Sequence, residues 1–196
     1  TQMITKGHDF SNVTLVGVVQ GDISLNIPDF RSAERTFQLL TQVAGRSGRG
    51  SIPGEVIVQT NNPEHYVYDF VRGHDYDNFY EKELQIRKKL NYPPFTRLVG
   101  LGIESESEER GQEFARKLKA ILAAKLARSK GVEILGPSRA ALYRLNEKYR
   151  WHLIIRSNDI RRAQSLTDRC PEIESLQKSA VGKVKLSIDV DPVNLL

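Results

Sequence analysis

The sequence contains a single cysteine, Cys170, and no long apolar run. One cysteine excludes a disulfide framework, and it excludes a zinc site built from several cysteines within these 196 residues. Cys170 stands before Pro171 near the end of an apolar-periodic stretch, which favours core packing over a reactive thiol. No segment approaches the roughly 20 apolar residues that span a bilayer, and no signal peptide pattern is present. We therefore expect a soluble, cytoplasmic protein with no metal site in this chain and no contact with a membrane.

Charge is unevenly distributed along the chain. Residues 1–91 contain 10 Lys and Arg against 11 Asp and Glu, a net charge of −1, whereas residues 92–196 contain 19 against 13, a net charge of +6. An excess of positive charge favours contact with an anion, and nucleic acid is the first candidate. A basic soluble domain without such a partner would have the same charge, so charge alone leaves both interpretations open.

Strand and helix patterns alternate in the first part of the chain. Residues 13–19 form a nearly continuous apolar run, typical of a strand buried on both faces, and residues 55–60 predict a second buried strand. Between them, apolar positions at helical spacing predict a helix over 31–44. Asp29 is its predicted cap, and Gly45 is predicted to end it.

A further helical pattern follows the second predicted strand. Asn62 is predicted as a helix cap and Pro63 as the first helical residue. The pattern breaks at Gly73 and continues to about Leu90.

A tyrosine and two prolines at 92–94 mark the clearest boundary. Proline fixes its own φ and disfavours helix at the residue before it. We therefore predict two domains, 1–91 and 92–196.

The second domain has its own order of strand and helix patterns. Its predicted strands are 95–104, 132–135, 151–156 and 183–190. Its predicted helices are 106–129 and a segment capped by Asp159. The order β-α-β-β-α-β is typical of a split-βαβ, ferredoxin-like domain.

The strongest motif is Gln-Val-Ala-Gly-Arg-Ser-Gly-Arg-Gly at residues 42–50, between a predicted helix and a predicted strand. Glycines let the backbone approach a ligand closely, and the planar guanidinium of arginine delivers charge to phosphate oxygens. An arginine held against a transferring phosphoryl group contributes several powers of ten in rate. The alternative is a glycine-rich turn with two solvated arginines, which the residue order and the flanking elements disfavour.

This motif resembles motif VI, Q-x-x-G-R-x-G-R, of superfamily 2 helicases. Other segments are similar to the PriA family of bacterial replication-restart helicases. These segments are 1–17, which resembles motif V, together with 28–31, 34–45, 149–152 and 189–192. The resemblance spans the whole chain and is most specific in residues 1–50. It implies a partial RecA-like α/β helicase lobe followed by an α+β ferredoxin-like (βαββαβ) domain that binds DNA.

The resemblance also implies roles for the residues of motif V. In such helicases the motif V aspartate, here Asp9, reaches the nucleotide ribose or helps to couple DNA contact to the ATP site. Gly7 permits the tight turn beside it. Because motif V lies near the DNA backbone, Thr1, Lys6 and His8 are candidate DNA contacts. His8 is equally compatible with a surface histidine without a role.

In motif VI, the resemblance makes Gln42 and Arg46 polar residues of the interface between the helicase lobes. Arg49 corresponds to the arginine finger that faces the γ-phosphate. These three residues are the candidate catalytic residues, and Arg46 and Arg49 join Gly7 and Asp9 as candidate nucleotide contacts.

Two motifs of such motors are absent from the chain, the phosphate loop G-x-x-x-x-G-K-[ST] and a D-E-x-H strand. Without them nothing cradles the β-phosphate or holds Mg²⁺. The resemblance places both on an earlier lobe, with a Cys-rich zinc insertion before motif V. The chain opens at Thr1 inside motif V, and we interpret it as a fragment. We expect ATP, Mg²⁺ and zinc to belong to the full-length protein, and this fragment alone not to hydrolyse ATP.

Residues 139–152 form a second group, predicted to join the second and third strands of the basic domain. Four cations alternate here with two tyrosines and a tryptophan. Cations contact phosphates, and rings stack on unpaired bases with about 1–3 kcal/mol each. A mobile loop with an aromatic rim packed on the sheet is the alternative. Trp151 alternates with Leu153 and is predicted to be core. The candidate DNA contacts are Arg144, Lys148, Tyr149 and Arg150.

Three hypotheses follow. The first is the C-terminal part of an ATP-dependent DNA helicase that remodels stalled or branched forks for primosome assembly and replication restart. The second is a non-catalytic module that binds nucleic acid or protein. The third is an RNA-binding ferredoxin-like protein, which has no use for the motif at 42–50. For the first, the resemblance implies branched, forked and single-stranded DNA as partners, with single-strand-binding protein and primosome-loading proteins.

Overall fold

In the computed structural model the described residues are 13–45, 47, 53–126, 131–168, 170–180 and 182–195. They form two compact units that divide between Ile86 and Arg87. Each unit contains one sheet, with two strands in the first unit and four in the second. The prediction of a mixed α/β class is confirmed.

The first unit contains β1 (Leu15–Val18), α1 (Ser32–Ala44), β2 (Glu55–Val58), α2 (Tyr66–Arg72) and most of α3 (Tyr76–Lys89). The last three residues of α3 belong to the second unit. The two strands pair in parallel. The helices supply the core of this unit, in which the rings of Phe37 and Phe79 stack with centroids 4.2 Å apart. Leu40, Val67 and Tyr68 complete this core.

The two strands of the first unit are not buried on both faces, contrary to the sequence-based prediction. Val18 and Val58 pack against the core, whereas Leu15 and Ile57 are exposed. Parallel strands normally have both faces covered. Within the described residues only one face of this two-stranded sheet is covered, which explains the difference.

Two predicted helix starts in the first unit are also wrong. Asp29 precedes the N-cap residue Arg31 and accepts a 2.8 Å hydrogen bond from its backbone amide, so Asp29 shapes the approach to α1 and does not cap it. Pro63 lies in a turn, and α2 begins at Tyr66. His65 is the N-cap of α2, because its side chain accepts from a backbone amide of the first turn.

The second unit contains β3 (Arg97–Ser105), α4 (Glu108–Leu126), β4 (Val132–Leu145), β5 (Lys148–Ser157), α5 (Ile160–Ser165), α6 (Pro171–Ser179) and β6 (Val184–Val190). The sheet has the order β4-β5-β3-β6, and all neighbouring strands are antiparallel. The three helices pack on this sheet around one core cluster. Cys170 belongs to this cluster and is 1% exposed, which confirms its prediction as a core residue.

Strand β4 is much longer than predicted. The sequence indicated a stop after Leu135, because Gly136 and Pro137 usually interrupt a strand. In the structure the strand continues through both residues, with a register shift between Leu135 and Ser138 that accommodates them. β4 is an edge strand, where the missing amide of a proline is tolerated. Residues 139–152 therefore form a β-hairpin and not a connecting loop.

Candidate nucleic-acid interface

Strands β4 and β5 meet in a tight turn. Arg144 lies opposite Tyr149, and Leu145 lies opposite Lys148. Asn146 and Glu147 form the turn with positive φ values of 51° and 64°. Two successive positive φ values are typical of the type I′ turn, whose twist matches that of the flanking strands. Residues 140–149, which we call the hairpin end, thus close on a turn of defined geometry, while the pairing of the two strands is irregular between Arg139 and Arg144.

Three aromatic rings, two of them in the hairpin end, pack against one another. Tyr143 packs edge-on against Trp151 with a centroid distance of 5.4 Å, and it lies 5.6 Å from Tyr149. Trp151 is only 4% exposed, which confirms its prediction as a core residue. A Cβ at Gly111 of α4 would come within 2.2 Å of the indole, so α4 approaches this ring closely only because residue 111 is glycine. Trp151 supports the hairpin and is not available to stack on a base.

A carboxylate at the start of α4 anchors the hairpin. Glu108 Oε1 accepts a 2.6 Å hydrogen bond from the Tyr143 hydroxyl and lies 3.0 Å from Arg139 Nη2. The Arg139 guanidinium also lies over the Tyr143 ring, 4.4 Å from its centroid. Burial, and then the hydrogen bond to Glu108, raise the pKa of Tyr143, so its hydroxyl remains a donor at neutral pH. Glu108 therefore pairs with Arg139, although the Arg139 side chain is still 66% exposed.

Arg150 is also paired. Its side chain is 20% exposed, and its Nε lies 3.4 Å from Glu104 Oε1 on the neighbouring strand. His152, two residues along, has its Nε2 3.0 Å from the Ser138 hydroxyl. Burial and the nearby charge of Arg150 lower the pKa of His152, so its imidazole is neutral at neutral pH. The positive charge on this stretch of β5 is thus partly compensated within the fold.

Two cations of the hairpin end are left more available. The Arg144 side chain is 56% exposed, with its guanidinium 5.3 Å from the centroid of the Tyr149 ring. Its ion pair with Glu147 is long, at 3.7 Å, and its partner is almost fully exposed. Lys148 is exposed and forms no ion pair with any residue that the structure describes. Arg144 and Lys148 are therefore the cations best placed to contact phosphates.

Comparison with known proteins gives the family. The profile of the Primosomal protein N C-terminal domain matches residues 88–193, more than half of the chain. This chain belongs to the PriA C-terminal domain family. Its relatives include three proteins named replication restart protein PriA, from Synechocystis sp. (42% identical), Bacillus subtilis (40%) and Borreliella burgdorferi (35%). The alignments cover 100% of this chain but 22%, 24% and 29% of those proteins. The chain thus spans about a quarter of the length of these PriA relatives.

Most of the helicase-motif residues lie outside the described residues. These are Thr1, Lys6, Gly7, His8, Asp9, Arg46 and Arg49. Gln42 is described, and it is exposed on the last turn of α1. The roles of these PriA motif residues therefore stay predictions.

The sequence did not reveal two kinds of residue at the hairpin. The carboxylates Glu104 and Glu108 are distant in sequence from the cations that they hold, and only the strand register brings them together. Leu142 and Leu145 are 55% and 45% exposed, although leucine usually predicts core. The sequence did offer one indication that these leucines are exposed, because each of them lies between two cations, Arg139 and Arg144 or Arg144 and Lys148.

The described part of this PriA-family chain offers neither a metal cluster nor a helix that could cross a membrane. No group of His, Cys, Asp and Glu side chains there could hold a metal ion. None of the helices found there combines the length and the hydropathy that crossing a membrane requires.

Proposed function

We propose that this chain is the C-terminal part of an ATP-dependent DNA helicase that recognises and remodels stalled or branched replication forks. The relatives that match it are named replication restart proteins, which supports a role in primosome assembly and replication restart. The family match over residues 88–193 supports the same assignment for the second unit.

The architecture of the two units agrees with this proposal. In the first unit, the parallel pairing of β1 and β2 beside three helices supports a portion of a RecA-like lobe that carries motifs V and VI. In the second unit, the antiparallel order β4-β5-β3-β6 supports a ferredoxin-like domain. We assign DNA binding to this second, basic unit.

ATP, Mg²⁺ and zinc belong, in this proposal, to the longer protein. The described residues contain no cluster that would hold either metal ion, so no metal site is assigned to them. The contribution of this chain to the ATP site is the arginine pair of motif VI, with Arg49 directed to the γ-phosphate. Single-strand-binding protein and primosome-loading proteins are the proposed protein partners.

The single observation that carries DNA binding is the charge of the hairpin end. Arg144 and Lys148 lie beside a tight turn, and the Arg144 guanidinium lies over the Tyr149 ring. Both belong to residues 92–196, which carry a net charge of +6. Phosphates are contacted by such cations without sequence preference. A protein that acts on forks of any sequence requires this mode of binding.

The salt dependence of DNA binding tests this assignment. Each phosphate contact contributes about 0.9 to the slope of log affinity against log salt on duplex DNA. The double variant Arg144→Ala/Lys148→Ala should therefore flatten the slope by about 1.8. Adding Arg150→Ala should change it less than either of the other substitutions, because Glu104 already pairs with Arg150. Fluorescence anisotropy of a labelled duplex over a salt series measures the slope.

A control variant separates local contact from net charge. Arg116→Ala/Lys117→Ala removes the same charge from the exposed face of α4. The control should keep most of the wild-type slope. If the two double variants give equal slopes, or if the hairpin variant matches wild type, the DNA surface lies elsewhere.

A further inference from the structure

The hairpin end exposes two large aliphatic side chains that the core does not use. Leu142 and Leu145 lie within four residues of each other and are 55% and 45% exposed. Neither belongs to the core cluster, whereas Tyr143 and Tyr149 pack against it. Single exposed leucines are ordinary, but two beside one tight turn form an apolar feature at the end of the hairpin.

The register shows where one of these leucines points. Leu145 is directly opposite Lys148, and cross-strand partners lie on the same face of a sheet. Because Tyr149 packs towards the helices, its neighbour Lys148 points to the other face. Leu145 and Lys148 therefore share the face away from the helices. Tyr143 packs against the core, so its neighbour Leu142 also points away from the helices, and the irregular pairing between Arg139 and Arg144 allows both leucines to share this face.

The surrounding charge indicates what these leucines contact. Residues 139–152 contain four cations and one acidic residue, and Arg144 and Lys148 lie next to the leucines in sequence or register. Lys148 lies on the face of the leucines and Arg144 lies on the opposite face of the same turn, beside Tyr149. An apolar surface with cations on both sides of one turn complements a nucleic acid in which phosphates flank exposed bases. Proteins that bend DNA commonly insert leucine and similar apolar side chains between base steps, which partly unstacks the bases. A stacked duplex offers no such surface on its backbone, whereas the opening of a fork does.

We propose that Leu142 and Leu145 form an apolar wedge that contacts unstacked bases where duplex DNA opens into single strands. Arg144 and Lys148 hold the adjacent phosphates. This inference rests on the proposed DNA-binding function of the hairpin end, and it adds the residues that give preference for a junction. The type I′ turn and the anchor of Tyr143 on Glu108 provide the rigid support that a wedge requires.

The test measures affinity of the 196-residue chain for two oligonucleotides, a blunt duplex and a fork with unpaired arms. In the variant Leu142→Ala/Leu145→Ala, the ratio of fork affinity to duplex affinity should fall by about tenfold, roughly the loss expected when the burial of one leucine side chain is removed. Duplex affinity should stay within about twofold of wild type, because the phosphate contacts remain. Placing 2-aminopurine at the junction gives a second readout, since its fluorescence should rise on binding of wild type but not of the variant.

Two further variants serve as controls. Leu142→Met/Leu145→Met keeps an apolar surface and should keep the fork preference. Leu90→Ala/Val193→Ala removes two exposed aliphatic side chains outside the hairpin end and should also keep it. An unchanged ratio and an unchanged 2-aminopurine signal in Leu142→Ala/Leu145→Ala would overturn the wedge alone. Absence of binding of the wild-type chain to either DNA would overturn the DNA-binding proposal as well.

Discussion

Replacing Arg49 with Ala in a full-length protein that carries this chain should lower DNA-stimulated ATP hydrolysis by about 10³-fold or more. The reason is electrostatic, because the arginine of motif VI stabilises charge that develops on the phosphoryl group during transfer. DNA affinity should change little, because Arg49 is not among the proposed DNA contacts. A steady-state ATPase assay with and without forked DNA, together with anisotropy, measures both quantities.

Two comparisons sharpen this experiment. Arg49→Lys keeps a positive charge but loses the planar, forked geometry of the guanidinium, so it should restore only part of the rate. Arg72→Ala removes an exposed arginine of α2 and should leave turnover unchanged. If Arg49→Ala hydrolyses ATP and unwinds DNA normally, the motor interpretation of residues 42–50 is wrong. The non-catalytic binding module would then be the better hypothesis.

Replacing Trp151 with Ala should destabilise the second unit by about 3–5 kcal/mol. The indole is buried between β5, α4 and Tyr143, and its removal leaves a cavity that Gly111 has no side chain to fill. Small domains are stable by only about 5–15 kcal/mol in total, so much of the stability of this unit would be lost. Urea denaturation followed by circular dichroism measures the free energy of unfolding.

Trp151→Phe is the matched variant, and it should lose clearly less because a ring still fills most of the space. Gly111→Ala should also destabilise the unit, since the added methyl group meets the indole. A loss below about 1 kcal/mol for Trp151→Ala would contradict the assignment of this residue to the core.

The sequence predicted the features that depend on periodicity. Trp151 and Leu153 alternate on one face of β5, and the structure buries both. Gly45 ends α1, as predicted. Such patterns are local, and a buried face imposes them on the residue order directly.

Other features depended on contacts between distant residues. The glycine and proline at 136 and 137 indicated a strand end, but an edge strand with a register shift accommodates them. The carboxylates that hold Arg139 and Arg150 come from elsewhere in the chain, and only the register of β5 against β3 and the packing of α4 bring them into reach. The sequence therefore predicted four similar cations. The structure gives Arg139 and Arg150 ion pairs with other elements, whereas Arg144 has a longer pair within the turn and Lys148 has none among the described residues.

The hairpin end is the central element of this account, and nuclear magnetic resonance of the isotopically labelled chain tests it most directly. Titration with a short forked oligonucleotide should shift the backbone amide signals of residues 142–149 more than those of any other segment. Shifts concentrated on α4 or β6, with the hairpin end unaffected at saturating DNA, would contradict the claim that this turn is the DNA-binding surface.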